Sequence, residues 1–329
     1  MNTNSRNACR GLIMAAIVTL AAGPAPGQAA APYPCKTLTM VSPYPPGGTT
    51  DILARLITPA LQKSLGTTVI VDNRAGASSN IGTGYVSRAK PDGCTALLGN
   101  NTGVVINRNM YKLPQDPVES LIPVVAVASV PLVLYVNASV PAQNVPELIN
   151  QIKANPQKYT FASGGSGSPQ HLAGELMKIQ KGLDLVHVPY KGQGPAMTDV
   201  MAGHVPIAFE TTTVLVPHLK SGKIRPLATT GASSAVSLPD LPTMNSLGFS
   251  GFDITNWYGV FVPKGTPKEL VNRLNSDIRS ALASPDIAAK LAAMGSSRVG
   301  GSPEEFAVFI GKEIPRWELL VKKSGAKVD

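Results

Sequence analysis

Val41-Ser42-Pro43-Tyr44-Pro45-Pro46-Gly47-Gly48-Thr49-Thr50-Asp51 is the stretch whose reading decides the fold. Leu38, Met40 and Val41 supply a short apolar strand, which the prolines stop. Gly47 and Gly48 admit positive φ and leave no Cβ between the backbone N–H groups and a ligand. Ile52, Leu53, Leu56, Ile57, Ala60, Leu61 and Leu65 then recur at helical spacing, so a helix is expected to begin at the glycine turn with Thr49 or Thr50 as its N-cap. The first N–H groups of a helix have no partner inside it, and they suit a carboxylate or a phosphate. The same stretch also reads as an ordinary strand-to-helix connection. Pro59 is expected to kink the helix.

Upstream, Arg6 and Arg10 precede an apolar run from Leu12 to Ala22, then Gly23-Pro24-Ala25-Pro26 break it and Ala29-Ala30-Ala31 offer small residues for cleavage. Residues 1–31 therefore read as a secretory signal peptide, and the rest as a soluble exported protein without a lipid anchor. A cut after Ala29 leaves about 300 residues, enough for two domains. In an exported chain the pair Cys35 and Cys94, each just ahead of an expected strand, reads as a disulfide. With no CxxC motif or histidine cluster beside them, no metal site is expected.

Downstream, strand Leu38 to Ser42, helix Thr50 to Leu65, strand Val69 to Val71, a helix ending near Ala89 and strand Thr95 to Leu98 make a βαβαβ pattern with a parallel sheet. Gly82-Thr83-Gly84 lacks the continuation of a dinucleotide fingerprint, and no cofactor is expected. Two β-prone runs, Leu121 to Ala128 and Leu132 to Val136, lead into further alternation: helix Val145 to Ala154, strand Thr160 to Ala162, helix Pro169 to Lys181, strand Asp184 to Val188, helix Pro195 to Ala202 and strand Ile207 to Glu210. The expectation is an α/β protein of two domains with a ligand cleft between them. Each domain is a mostly parallel sheet flanked by helices, the first made of residues 32–134 plus 257–329 and the second of 135–256.

Ser163-Gly164-Gly165-Ser166-Gly167-Ser168-Pro169 repeats the logic of the first turn: strand, glycines, then Ser168 as N-cap with Pro169 at the first helical position. Both turns would lie at strand carboxyl ends and line one cleft. Around them Tyr44, Asp51, Asn100, His171 and Thr211 are candidate contacts. Asp51 complements the helix dipole or orients the other turn, and a neutral His171 would donate toward its own turn.

Pro43-Tyr44-Pro45-Pro46-Gly47-Gly48 with Asp51 and Arg55, Asp72-Asn73-Arg74 with Gly76, the turn Ser163 to His171, and Val188-Pro189-Tyr190-Lys191-Gly192 together resemble the Bug receptors, the periplasmic solute-binding proteins of tripartite tricarboxylate transporters. The resemblance implies that Pro46, Gly47, Gly48, Thr49 and Thr50 form one pincer and Ser163 to Ser168 the other. Both would act on a ligand carboxylate through backbone N–H groups and ordered water. It implies a binding protein and not an enzyme. Its ligand would be a di- or tricarboxylate, an amino acid or an aromatic acid, and its partner a membrane transporter or a sensor. Where family members commonly carry an acidic residue this chain has Pro206, and where they carry an aromatic one it has Cys94.

The competing class is an exported serine hydrolase, because Gly164-Gly165-Ser166-Gly167-Ser168 begins like a G-x-S-x-G elbow with Ser166 as nucleophile. The fifth position is Ser, and neither Asp199 nor His204 or His218 stands at a spacing that recommends a triad. The formal net charge of +9 is scattered singly along the chain and aromatic residues make up only 5%, which argues against nucleic-acid binding. The chain is read as a monomer.

Overall fold

The computed structural model describes residues 32–235 and 237–328, so the expected signal peptide lies outside the described residues. The first part of the chain forms β1 (Thr37–Ser42), α1 (Thr49–Leu65), β2 (Thr68–Asn73), α2 (Asn80–Ser87), β3 (Thr95–Asn100), α3 (Pro117–Ser120) and β4 (Leu121–Asn137). There follow α4 (Val145–Ala154), β5 (Thr160–Ser163), α5 (Pro169–Lys181), β6 (Val186–Pro189), α6 (Gln193–Ala202), β7 (Ile207–Thr211), α7 (Thr212–Leu215) and β8 (Ile224–Thr229). β9 (Thr255–Pro263), α8 (Lys268–Ala283), α9 (Pro285–Ala293), β10 (Ser297–Gly300) and α10 (Pro303–Ser324) complete it.

The strands join in the order β2-β1-β3-β9-β4-β7-β5-β6, with β8 and β10 also pairing β4. Both wings are parallel, β1 with β2 and β3, and β5 with β6 and β7. The centre is antiparallel, because β9 runs against β3 and β4, and β4 runs against β7 and β8. The two runs expected to be separate strands are one 17-residue β4. Pro131 between them lacks an N–H, yet it falls where pairing passes from β9 (last pair Pro131 with Thr255) to β7 (first pair Leu132 with Thr211), so no ladder bond is lost there. β10 and α7 were not anticipated.

Amphipathic helices cover the sheet as their periodicity requires. Leu53, Ile57 and Leu61 of α1 pack with Leu38, Met40 and Leu98 of the sheet and with Val271, Leu274 and Ile278 of α8, all buried; each such aliphatic side chain contributes about 2 kcal/mol. α1 continues through Pro59 as one 17-residue helix. On α10, the buried Glu313 carboxylate accepts the indole N–H of both Trp257 (2.9 Å) and Trp317 (2.7 Å) and the Arg316 guanidinium (2.8 Å), which pins this helix to β9.

Cys35 and Cys94 are disulfide-bonded, with Cα atoms 5.6 Å apart, as their places ahead of the neighbouring strands β1 and β3 led one to expect. The bridge closes a chain separation of 59 residues. Replacing both cysteines by Ser should lower the unfolding free energy by up to roughly 4 kcal/mol; urea curves for the two proteins that superimpose would refute this.

Candidate functional site

The two glycine turns are built alike. In the first, Gly47 is left-handed (φ 86) and Gly48 is the extended N-cap of α1 (φ −83, ψ 165); in the second, Gly167 is left-handed (φ 81) and Ser168 is the extended N-cap of α5 (φ −68, ψ 154). In both, a side chain from the first helical turn reaches back four residues to the glycine N–H. Asp51 Oδ2 accepts from Gly47 N at 3.1 Å, and His171 Nδ1 accepts from Gly167 N at 3.0 Å. Burial works to raise the Asp51 pKa, but hydrogen bonds from Arg55, Gly47 and Asn73 and the Arg55 charge outweigh it, so the carboxyl stays below its usual value.

Each turn is met by residues of the opposite wing. Thr49 Oγ1 lies 2.8 Å from Thr211 Oγ1, and Thr49 N donates to Gln193 Oε1 at 2.9 Å. On the other side the Ser166 carbonyl accepts from Ser78 Oγ (2.7 Å) and Tyr111 OH (3.1 Å). Ser78 sits in a run of three left-handed non-glycine residues, Ala77, Ser78 and Ser79 (φ 45, 48 and 79), a conformation that costs on the order of 1–2 kcal/mol per residue. The close approach needs Gly165, since a Cβ there would lie 2.8 Å from Ser78 Oγ.

Between the turns Tyr44, Thr50, Asn100, Thr102, Gly164, Ser168, Gln170, Gln193, Asn256 and Tyr258 enclose a cavity of about 10 Å³, room for roughly one water. No lysine or arginine lines it, so any charge held there is met by N–H dipoles, hydroxyls and amides. Both phenols stay neutral. Burial pushes the pKa of Tyr44 and Tyr258 up, against hydrogen bonds from Thr102, Asn100 and Ser79 to the first and from Thr49 and Asn256 to the second. A larger surface hollow of about 650 Å³, whose lining includes Gln180, Ser250, Asp253, Arg316 and Lys323, contains no residue of either glycine turn.

Residues 53–326 match the tripartite tricarboxylate transporter family receptor, TctC. This chain belongs to that family. Protein BugT of Bordetella pertussis is 37% identical to this receptor over 324 residues, 98% of this chain and 99% of BugT. Among solved structures, the periplasmic binding protein BugD superposes with a TM-score of 0.84 at 34% identity, covering 88% of this receptor and 98% of BugD. A protein of R. palustris solved with adipate superposes with a TM-score of 0.87 at 36% identity, covering 90% and 100% of the two chains. The two-winged α/β architecture is thus that of the periplasmic binding proteins, as expected.

In the receptor, Tyr44, Thr50, Asn100, Gly164 and Ser168 come together at the cavity, and Thr49 and Thr211 touch beside it. Pro46 and Gly47 lie at the exposed rim. Asn100 closes β3 instead of following it. Neither Thr49 nor Thr50 is the N-cap of α1: that place is Gly48, because the Thr49 hydroxyl is engaged with Thr211 and the Thr50 hydroxyl accepts from Ser42. Asp51 braces its own turn, bonded to Gly47, Arg55 and Asn73. His171 accepts from its turn instead of donating to it, because its partner there is an N–H. The Ser163 hydroxyl braces its own turn, accepting from Gly165 N at 3.1 Å, and also lies 2.6 Å from His187 Nε2. His187 stacks on His171 with centroids 3.8 Å apart, and burial first, then the charges of His171 and Lys178, hold its pKa down at about 3.

Gln170, Gln193, Asn256, Tyr258, Thr102 and Ser78 were missed. Gln193 was hidden by starting α6 at Pro195; Pro195 is its third residue, and first-turn prolines are tolerated. Asn256 and Tyr258 reach the site only because β9 pairs with β3, placing Tyr258 opposite Asn100.

Beneath Thr211 lies Glu210, 1% exposed, accepting from the Thr211 N–H (2.7 Å) and hydroxyl (3.0 Å). Burial raises its pKa to about 7, against hydrogen bonds from Thr211 and Gln170. Because the folded value exceeds the unfolded 4.5, its stabilising contribution is complete below about pH 4.5 and is lost as pH rises through about 7. The unfolding free energy of the wild type should therefore fall relative to Glu210→Gln between pH 5 and 8, by up to about 3 kcal/mol; a difference that does not change with pH would count against it.

Proposed function

We propose that this receptor captures a small carboxylate-bearing solute in the periplasm and delivers it to a tripartite tricarboxylate-type membrane transporter. Two lobes, 32–134 with 257–329 and 135–256, close around the solute. The observation that carries this reading is the pair of like-built helix N-termini, α1 and α5, which bring backbone N–H donors, hydroxyls and amides to one cavity with no cation in its lining. Donors fixed by the backbone hold an anion without reorganising, and closure removes the water that would compete. The adipate-bound relative supports the ligand class.

The receptor acts as a monomer and as a binding protein, without cofactor. A hydrolase built on Ser166 would need a base beside it. Among the described residues His171 Nδ1 is committed to Gly167 and His187 Nε2 to Ser163, while His204 faces Asp199 at 3.5 Å. No helix among the described residues is long and apolar enough to cross a membrane, which fits a receptor that meets its transporter at the surface.

A thermal-shift panel of adipate, citrate, amino acids, aromatic acids and nicotinate, on protein unfolded and refolded to strip copurified solute, tests the reading. A ligand at 100 times its Kd should stabilise the fold by about 2.7 kcal/mol. Gly165→Ala, which strains a φ of 134 and sets a methyl against Ser78, should weaken the same ligand at least tenfold. If no carboxylate moves the transition, the reading fails.

A further inference from the structure

Gln193 opens α6, and its side chain lies between the two jaws. Its Oε1 accepts the Thr49 N–H at 2.9 Å, and its Nε2 donates toward Thr211 Oγ1 at 3.4 Å. The same side chain packs against both glycine turns. A Cβ at Gly48 would lie 3.5 Å from its Oε1, and one at Gly164 would lie 3.3 Å from its Cγ. A primary amide is the neutral isostere of a carboxylate: its oxygen accepts the same N–H, with less charge and hence a weaker bond.

Thr49 N belongs to the first turn of α1, where the positive end of the helix dipole adds to the donor. A solute carboxylate seated on this helix start needs the N–H that the Gln193 oxygen holds. We propose that Gln193 is a built-in competitor for the ligand carboxylate, a side chain that closes the jaws on itself and must be displaced for a solute to bind. This rests on the receptor reading above. It makes Gln193 a determinant of selectivity. A neutral solute gains nothing over the tethered amide at Thr49, whereas a carboxylate exchanges a neutral acceptor for a charged one.

The two possible roles of Gln193 predict opposite effects. If it were a ligand contact or only a structural strut, removing it would weaken binding. As a competitor, its removal frees the donor, and Gln193→Ala should bind a carboxylate about 2- to 10-fold more tightly. Gln193→Glu tethers a charged carboxylate at the same donor and should weaken binding of a free one by more than tenfold.

The test is calorimetric titration of wild type, Gln193→Ala and Gln193→Glu with adipate and with each carboxylate that shifts wild-type melting. Binding in the order Ala tighter than wild type, wild type tighter than Glu supports the proposal, as does a carboxylate that binds Gln193→Ala alone. Wild-type binding with Gln193→Ala equal or weaker overturns the competitor role and leaves the receptor reading intact. No carboxylate binding to any of the three overturns the receptor reading, and the competitor role falls with it. Peptide-resolved hydrogen exchange over 45–55, without added carboxylate, gives an independent readout. Faster exchange in Gln193→Ala is expected, and equal exchange shows that Gln193 does not hold the Thr49 N–H and overturns the proposal.

Discussion

The N–H groups at the start of a helix have no partner of their own, and in a site that excludes water each one left unmet costs on the order of 1–3 kcal/mol. The arrangement around the cavity follows from this constraint. Asp51 meets Gly47, His171 meets Gly167, the Ser163 hydroxyl meets Gly165, and Gln193 meets Thr49. Three of these acceptors come from the same segment as the donor and rigidify a turn. The fourth comes from the opposite wing, so of these four backbone donors it is the one whose partner also joins the two wings.

On the proposed reading, a cleft lined by neutral donors is a particular solution to anion recognition. A lysine or arginine would supply more attraction but would itself have to be desolvated on closure, at a cost that can exceed the gain. Backbone dipoles carry no net charge and are already paired or oriented before the solute arrives. Glu210, buried just behind Thr211, adds to this economy of charge: with its pKa raised to about 7 it carries its proton through most of the acidic range, so the cleft faces less negative charge than its composition suggests.

Much of this was legible in the sequence, because the signals were local. Gly47-Gly48 and Gly164 to Gly167 marked the turns, and helical spacing placed α4 and α5 with the observed bounds. The cysteines could be paired from their places ahead of two adjacent strands. What was not legible depends on pairing between distant segments. Tyr258 is a cavity residue only because β9 returns beside β3, and β4 is one strand only because the bond Pro131 cannot donate falls at a change of partner. The N-cap of α1 was misplaced for a similar reason. Thr49 and Thr50 look like caps to any local rule, yet their hydroxyls are claimed by Thr211 and Ser42.

β4 and β9 also determine how the two wings are joined. The chain passes from one wing to the other along β4 and returns along β9, and at the crossing the two strands are paired, Val130 with Asn256 and Pro131 with Thr255. The covalent connection is therefore a hydrogen-bonded ribbon and not a pair of free linkers. Such a ribbon resists sliding, because sliding would break its ladder, but it twists readily. Irregularities in register at Pro123/Val125, Ala126/Ala128 and Leu134/Tyr135 flank the crossing and give that twist places to concentrate. If the two lobes open and close as proposed, the motion would be a torsion of the sheet itself, with its rest angle written into strand geometry instead of loop length.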